Sequence, residues 1–187
     1  TALDEIYGVQ LLGRAGQTRP KAMYFSEVMS YIQLTGVIFP YISEPNINVH
    51  QPAYGISSTM CHELSHICGF MREDEANFVS YLACTYSLDA SVRYSGTMLA
   101  LINCANQLYA SDAELYRRLV SEYYSEGMLR DLRDYNAYWD SFEGPIEEAV
   151  DNMNDNYLKF NKQENGVKSY GMMVDLLLAY YAKGSAQ

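Results

Sequence analysis

The chain changes texture sharply at Ser57-Ser58, and that change constrains its fold most. Up to about residue 57, proline and glycine punctuate short apolar runs (Pro20, Pro40, Pro45, Pro52, Gly55). From Ser57-Ser58 onward the apolar residues recur at helical spacing almost to the end. The first texture suits short strands and the second a succession of helices, so the expected class is α+β.

Within the first part, residues 3–14 (LDEIYGVQLLGR) read as a short amphipathic helix. Lys21 to Phe25 and Val37 to Phe39 read as strands. Asn46 to His50 alternates polar and apolar residues, the period-2 signature of an edge strand. Residues 20–52 are therefore expected to form a small sheet of about three strands. Ser57 or Ser58 is the expected N-cap of the first long helix, which runs to Cys68, with Gly69 at its C-terminal turn. A second helix is expected over Arg72–Leu88, and a helical part follows over 91–182. Its segments end near Tyr109, Tyr124 and Phe142. After Gly144-Pro145 come a helix to Gln163, a turn at Asn165-Gly166 and a last helix from Ser169 to Ala182. No repeat or linker divides the 187 residues, which read as one domain.

Composition narrows the function classes. Apolar residues make up 49% of the chain and charged residues 19%, a globular balance. Thirteen basic against 23 acidic residues give a net charge of −10, which repels phosphate backbones and anionic headgroups. Nucleic acid is therefore not an expected partner. No apolar stretch reaches the ~20 residues of a membrane span, and the most apolar tail segment, Met172 to Ala182, carries Asp175. The first residue is Thr1, which reads as the start of a piece cut from a longer protein. Cys61, Cys68, Cys84 and Cys104 lie in apolar helical segments and read as buried free thiols. The 18 tyrosines read mainly as packing rings with wetted hydroxyls.

The chemistry concentrates in His62-Glu63-Leu64-Ser65-His66. Positions i and i+4 share one helix face, so both imidazoles can address one ion. Glu63 sits beside them, within reach of water on that ion, as the general base of a zinc peptidase does. Two of the three histidines of the chain are used here, and apolar neighbours (Met60, Cys61, Leu64, Ile67, Cys68) surround them. Titratable groups in such a setting need a partner, and a metal supplies one.

Catalytic zinc takes three protein ligands and keeps a fourth position open. The tight connection Gly69-Phe70-Met71 folds the next helix back, so Glu73 or Glu75 is the expected third ligand. Glu73 is preferred because Asn77 then falls one turn on, beside His62, where its amide oxygen can fix the ring tautomer. Ala76 on the same face lets the helices approach. Choosing Glu75 places Val79 where that acceptor belongs.

Glu73-x-x-Ala76-Asn77 resembles the glutamate-helix signature of the zincins that combine HExxH with a glutamate, the gluzincins. Five stretches resemble more closely a bacterial family, domain of unknown function 3810: Thr35–Pro40, Glu44–Val49, CHELSHICGFMREDEANF at 61–78, Arg93–Gly96 and GVKSYGMMVDLLLAYY at 166–181. The gap from His66 to Glu73 is far shorter than in ordinary gluzincins. The resemblance implies a zincin-like metallopeptidase with Zn²⁺ on His62, His66 and Glu73, and membrane helices ahead of this domain. It thereby implies a membrane-anchored protein whose domain lies outside the cytoplasm.

The expected function is zinc-dependent hydrolysis of a peptide or protein substrate, with Glu63 catalytic. Asn46–His50 is the expected edge to which a substrate strand is added. Tyr94, Tyr157, Tyr170 or Arg93 would supply the oxyanion donor. Two alternatives stand beside it. One is a structural metal site closed by Cys68, Glu75 or His50. The other is a catalytically silent, membrane-associated domain that binds peptides as a sensor.

Overall fold

A computed structural model describes residues 18–39, 44–144 and 170–184. The expected helices at 3–14 and 145–163, the turn at Asn165-Gly166 and Tyr157 lie outside the described residues. The expected α+β class holds: a small sheet comes first and a mostly helical part follows. The elements are β1 (Lys21–Ala22), α1 (Ser26–Tyr31), β2 (Gly36–Phe39), β3 (Glu44–Ile47), α2 (Ala53–Ile67), α3 (Glu73–Thr85), α4 (Ala90–Ser111), α5 (Ala113–Tyr123), α6 (Glu126–Asp140) and α7 (Tyr170–Gly184).

The sheet corrects three expectations. The first strand stops at Ala22 rather than Phe25, because Ser26 Oγ donates back to the Met23 carbonyl and the chain turns into α1. The strand expected at Asn46–His50 is Glu44–Ile47, and it is central, not an edge. The order is β1-β3-β2, with β1 parallel and β2 antiparallel to β3. After Ile47 the chain leaves the sheet at Asn48, whose buried amide donates to Ser30 Oγ and to the Leu34 carbonyl. Alternation of polarity marked a strand with two different faces, and it carried no information about which neighbours would pair with it. Pro45 lacks a donor, and it is tolerated in the middle of the sheet because β1 is only two residues long.

The free edge beside α2 is β2. The Asn48 N–H donates to the Thr35 carbonyl at 2.8 Å, and Val37 lies opposite Asn46. Antiparallel bonding alternates, so residues 35, 37 and 39 spend their backbone groups on β3, while Gly36 and Ile38 turn theirs outward. Both β2 and β3 pack against α2.

Helix α2 begins five to six residues earlier than its serines suggest. Pro52 holds the N-cap position with no side-chain cap. Ser58 is instead buried inside the helix, where its N–H meets Ser95 Oγ at 2.8 Å and its carbonyl accepts from Ser80 Oγ at 2.7 Å. At the other end Gly69 has φ +101°, a left-handed turn that suits glycine and reverses the chain towards α3. Asp89, Asp112 and Ser125 cap α4, α5 and α6 by accepting backbone N–H groups.

Helices α2, α3 and α4 pack on one another through small residues. Ala76, Ser80, Cys84 and Ser95 are at most 1% exposed, and a Cβ on Gly96 would overlap Cβ of Cys84. Such small side chains let the helix backbones approach closely. Phe78, Tyr81, Leu82, Met173 and Leu177 form the apolar core where α7 joins α3 and α4. Two tyrosine pairs, Tyr81–Tyr181 and Tyr86–Tyr180, join hydroxyls across α3 and α7. None of the four cysteines forms a disulfide; Cys84 is buried and the others are half-buried.

Candidate metal centre

His62 and His66 stand one turn apart on the last two turns of α2. Their Nε2 atoms face each other at 3.1 Å. The reversal at Gly69 brings Glu73, first residue of α3, against both: its carboxylate lies 3.1 Å from Nε2 of His62 and 3.5 Å from Nε2 of His66. These three residues offer ligand atoms all within 4.8 Å of one another, a group able to hold a metal ion. Ligand bonds of about 2.0–2.2 Å in a tetrahedron separate neighbouring donors by about 3.3–3.6 Å. The observed separations fit that frame within a few tenths of an ångström. Both imidazoles are largely buried, while the Glu73 side chain is 55% exposed, so the group opens to solvent on the carboxylate side.

The remaining ring nitrogens bear on orientation. His66 Nδ1 lies 2.6 Å from the Phe70 carbonyl, which fixes that nitrogen as the protonated one and leaves Nε2 its lone pair. His62 Nδ1 is buried without a hydrogen-bond partner of normal geometry. The Asn77 side chain is the polar group next to that ring and favours its charged form.

The electrostatics are those of a site that attracts a cation. Burial alone would lower the His62 pKa, but the hydrogen bond and charge of Glu73 outweigh it and the net shift is upward. His66 shifts downward, through burial and the neighbouring His62 charge. Burial opposes ionisation of Glu73, yet the hydrogen bond from His62 and both imidazole charges hold its carboxyl below the usual range. Glu63 is 5% exposed, and burial pushes its pKa to about 7, with His62 opposing and Glu73 assisting. That is the range in which a carboxylate both takes and returns a proton near neutrality.

Gly36 was not singled out from the sequence. It stands in β2 directly against Glu63: a Cβ there would lie 2.5 Å from Oε1 and 2.8 Å from Cδ and from Cγ of that side chain. The signal was a lone glycine within a strand, which marks close approach of another group.

Other candidates lie elsewhere. Glu75 is not in the metal-binding group; its carboxylate is 3.8 Å from Nε of Arg72, whose guanidinium also pairs with the buried Asp74. Tyr94 donates its hydroxyl to Asp131 at 2.6 Å and packs on Tyr54, eight residues up α2 from His62. Its hydroxyl is thus engaged by a carboxylate of α6. Arg93 donates to the carbonyls of Ser87 and Leu88 in the turn before its own helix. Tyr170 is the first residue of α7. His50 pairs through Nδ1 with the Tyr138 hydroxyl at 3.0 Å, so it does not close the group as a fourth ligand.

No helix among the described residues is long and apolar enough to cross a membrane. The family described as protein of unknown function (DUF3810) matches residues 5–178, nearly the whole chain. No curated protein matches the chain. No solved structure matches it either.

Proposed function

We propose a zinc-dependent peptidase activity for this chain, which belongs to the DUF3810 family. The observation that carries the reading is the convergence of His62 Nε2, His66 Nε2 and the Glu73 carboxylate, with a buried glutamate next to the first ligand. Two imidazoles and one carboxylate are the donor set of catalytic zinc, and three protein ligands leave a position for water or substrate. A structural site has no use for Glu63. The gluzincin-like resemblance of the glutamate helix belongs to this same reading.

Zinc held by these three residues supplies Lewis acidity, which polarises a carbonyl and acidifies water. The protein's own groups do the rest. A Glu63 carboxylate oxygen takes a proton from the attacking water and delivers it to the departing amine nitrogen. Burial near neutrality keeps both of its protonation states accessible. The Phe70 carbonyl holds His66 in the tautomer that binds through Nε2.

The substrate is an extended peptide or protein segment that adds to the outer edge of β2, where the Gly36 and Ile38 backbone groups point outward. The domain is anchored through a segment outside this chain and faces away from the cytoplasm, as the family resemblance implies.

The test combines metal analysis with one conservative variant. Protein purified without added zinc is assayed for bound metal and for cleavage of a peptide library. Glu63→Gln should keep one zinc per chain and lose turnover by about 10²–10⁴-fold. Cleavage by Glu63→Gln at the parent rate, or absence of zinc after incubation with it, sinks the reading.

A further inference from the structure

We propose that Gly36 is a positioning residue for Glu63, so that strand β2 sets where the proton-transferring carboxylate stands. The inference rests on the peptidase reading for its functional half and on geometry alone for its structural half. A glutamate next to a metal-binding histidine on a helix has three rotatable bonds, and the helix restricts χ1 but leaves the outer two torsions open. The sheet makes that choice. Glu63 is 5% exposed, and its Cγ, Cδ and Oε1 fill the space that any side chain at position 36 would occupy. The three would-be contacts are 2.8, 2.8 and 2.5 Å, all inside the distance real Cβ atoms tolerate.

The neighbours make the displacement costly. Gly36 pairs with Ile47, which is 1% exposed, and the Thr35–Asn48 hydrogen bond fixes the strand one residue earlier. The strand therefore cannot simply retreat from a new methyl group, and the side chain of Glu63 must move instead. The three nearest atoms that a Cβ at Gly36 would meet all belong to Glu63, and none to His62, His66 or Glu73. A methyl group at position 36 thus displaces the base and leaves the ligands. The same glycine turns its backbone groups to the open edge of the sheet, so base and edge share one reference point.

The experiment is a double-mutant cycle read in thermal unfolding and in metal binding. Gly36→Ala is made in the parent and in a Glu63→Ala background, where the clash partner is gone. The expected result is a Tm loss of several degrees in the parent and little or none in the Glu63→Ala background. Both proteins should bind one equivalent of cobalt with the same visible absorption spectrum. Equal Tm losses in the two backgrounds overturn the proposal, because the glycine would then matter for a reason other than Glu63. Loss of cobalt binding in Gly36→Ala overturns it as well, since the residue would be supporting the ligands. Where the parent cleaves peptide, Gly36→Ala should lower kcat by on the order of a hundredfold with KM unchanged, the cost of misplacing a reacting group by about an ångström. A parent that couples Gly36 to Glu63 but cleaves nothing would refute the peptidase reading and leave the contact standing.

Discussion

Nε2 of His62 and Nε2 of His66 face each other at 3.1 Å, on rings tilted 87° apart. Two neutral nitrogens cannot both present lone pairs at that distance without repulsion. Either one carries a proton towards the other, or a cation stands between them. The Phe70 carbonyl at Nδ1 of His66 leaves its Nε2 the lone pair, and the Glu73 carboxylate near both Nε2 atoms stabilises either a proton or a metal ion there.

Metal binding should therefore be strong, specific and stabilising. His62→Ala, His66→Ala and Glu73→Ala should each abolish stoichiometric zinc uptake, while Glu75→Ala should keep it. Zinc at a hundredfold over its Kd should add about 2.7 kcal/mol to the parent's stability. Calorimetric titration with the four variants checks this, and uptake lost in Glu75→Ala but kept in Glu73→Ala would reverse the ligand assignment.

Glu63 should make the metal-free protein less stable as pH rises. Its folded pKa is raised from the ordinary 4.5 to about 7, so the folded state holds a proton that the unfolded state has released. The contribution is fully present below about pH 4.5 and is lost as pH climbs through about 7. Glu63→Gln stays neutral throughout. It should match the parent near pH 4.5 and exceed it at pH 8 by about 3 kcal/mol, at 1.36 kcal/mol per unit. Denaturant unfolding across that range, in chelator, is the measurement, and a gap independent of pH would refute the assignment.

Asn77 should act on affinity rather than on folding. Its side chain acts on the His62 ring, whose buried Nδ1 lacks a hydrogen-bond partner. Asn77→Ala should weaken zinc by about 10–100-fold while the Tm of the metal-free protein changes little. Asn77→Asp, which keeps the acceptor, should restore most of the affinity. An alanine variant with parental affinity would remove Asn77 from the site.

The close approach of α3 and α4 should not tolerate a methyl group at Gly96. A Cβ there would overlap that of Cys84, and both residues sit in a packed helix interface. Gly96→Ala should cost about 1–3 kcal/mol despite its gain in helix propensity. Pairing it with Cys84→Ala does not remove the overlapping Cβ, so the cost should persist; recovery in the pair would place the strain at the sulfur instead.

What the sequence by itself determined were relations that span a turn or two of chain. The i, i+4 spacing of His62 and His66, the reversal at Gly69 and the caps at Asp89 and Asp112 depend on residues within about five positions of one another, so they are written locally. The change from strand-like to helical texture fixed the class for the same reason. Tertiary structure decided everything that depends on which surfaces meet. Asn46 and Ile47 belong to the central strand because β1 and β2 both pair with β3, which alternation of polarity cannot encode. The Tyr94 hydroxyl meets Asp131 because α6 brings that carboxylate to it, 37 residues away. The spacing to Ala76 and Asn77 favours Glu73 over Glu75, and the packing of α3 on α2 turns the first towards the imidazoles and leaves the second beside Arg72. Gly36 and Glu63 are separated by 27 positions, and their contact exists because the sheet lies against the histidine helix.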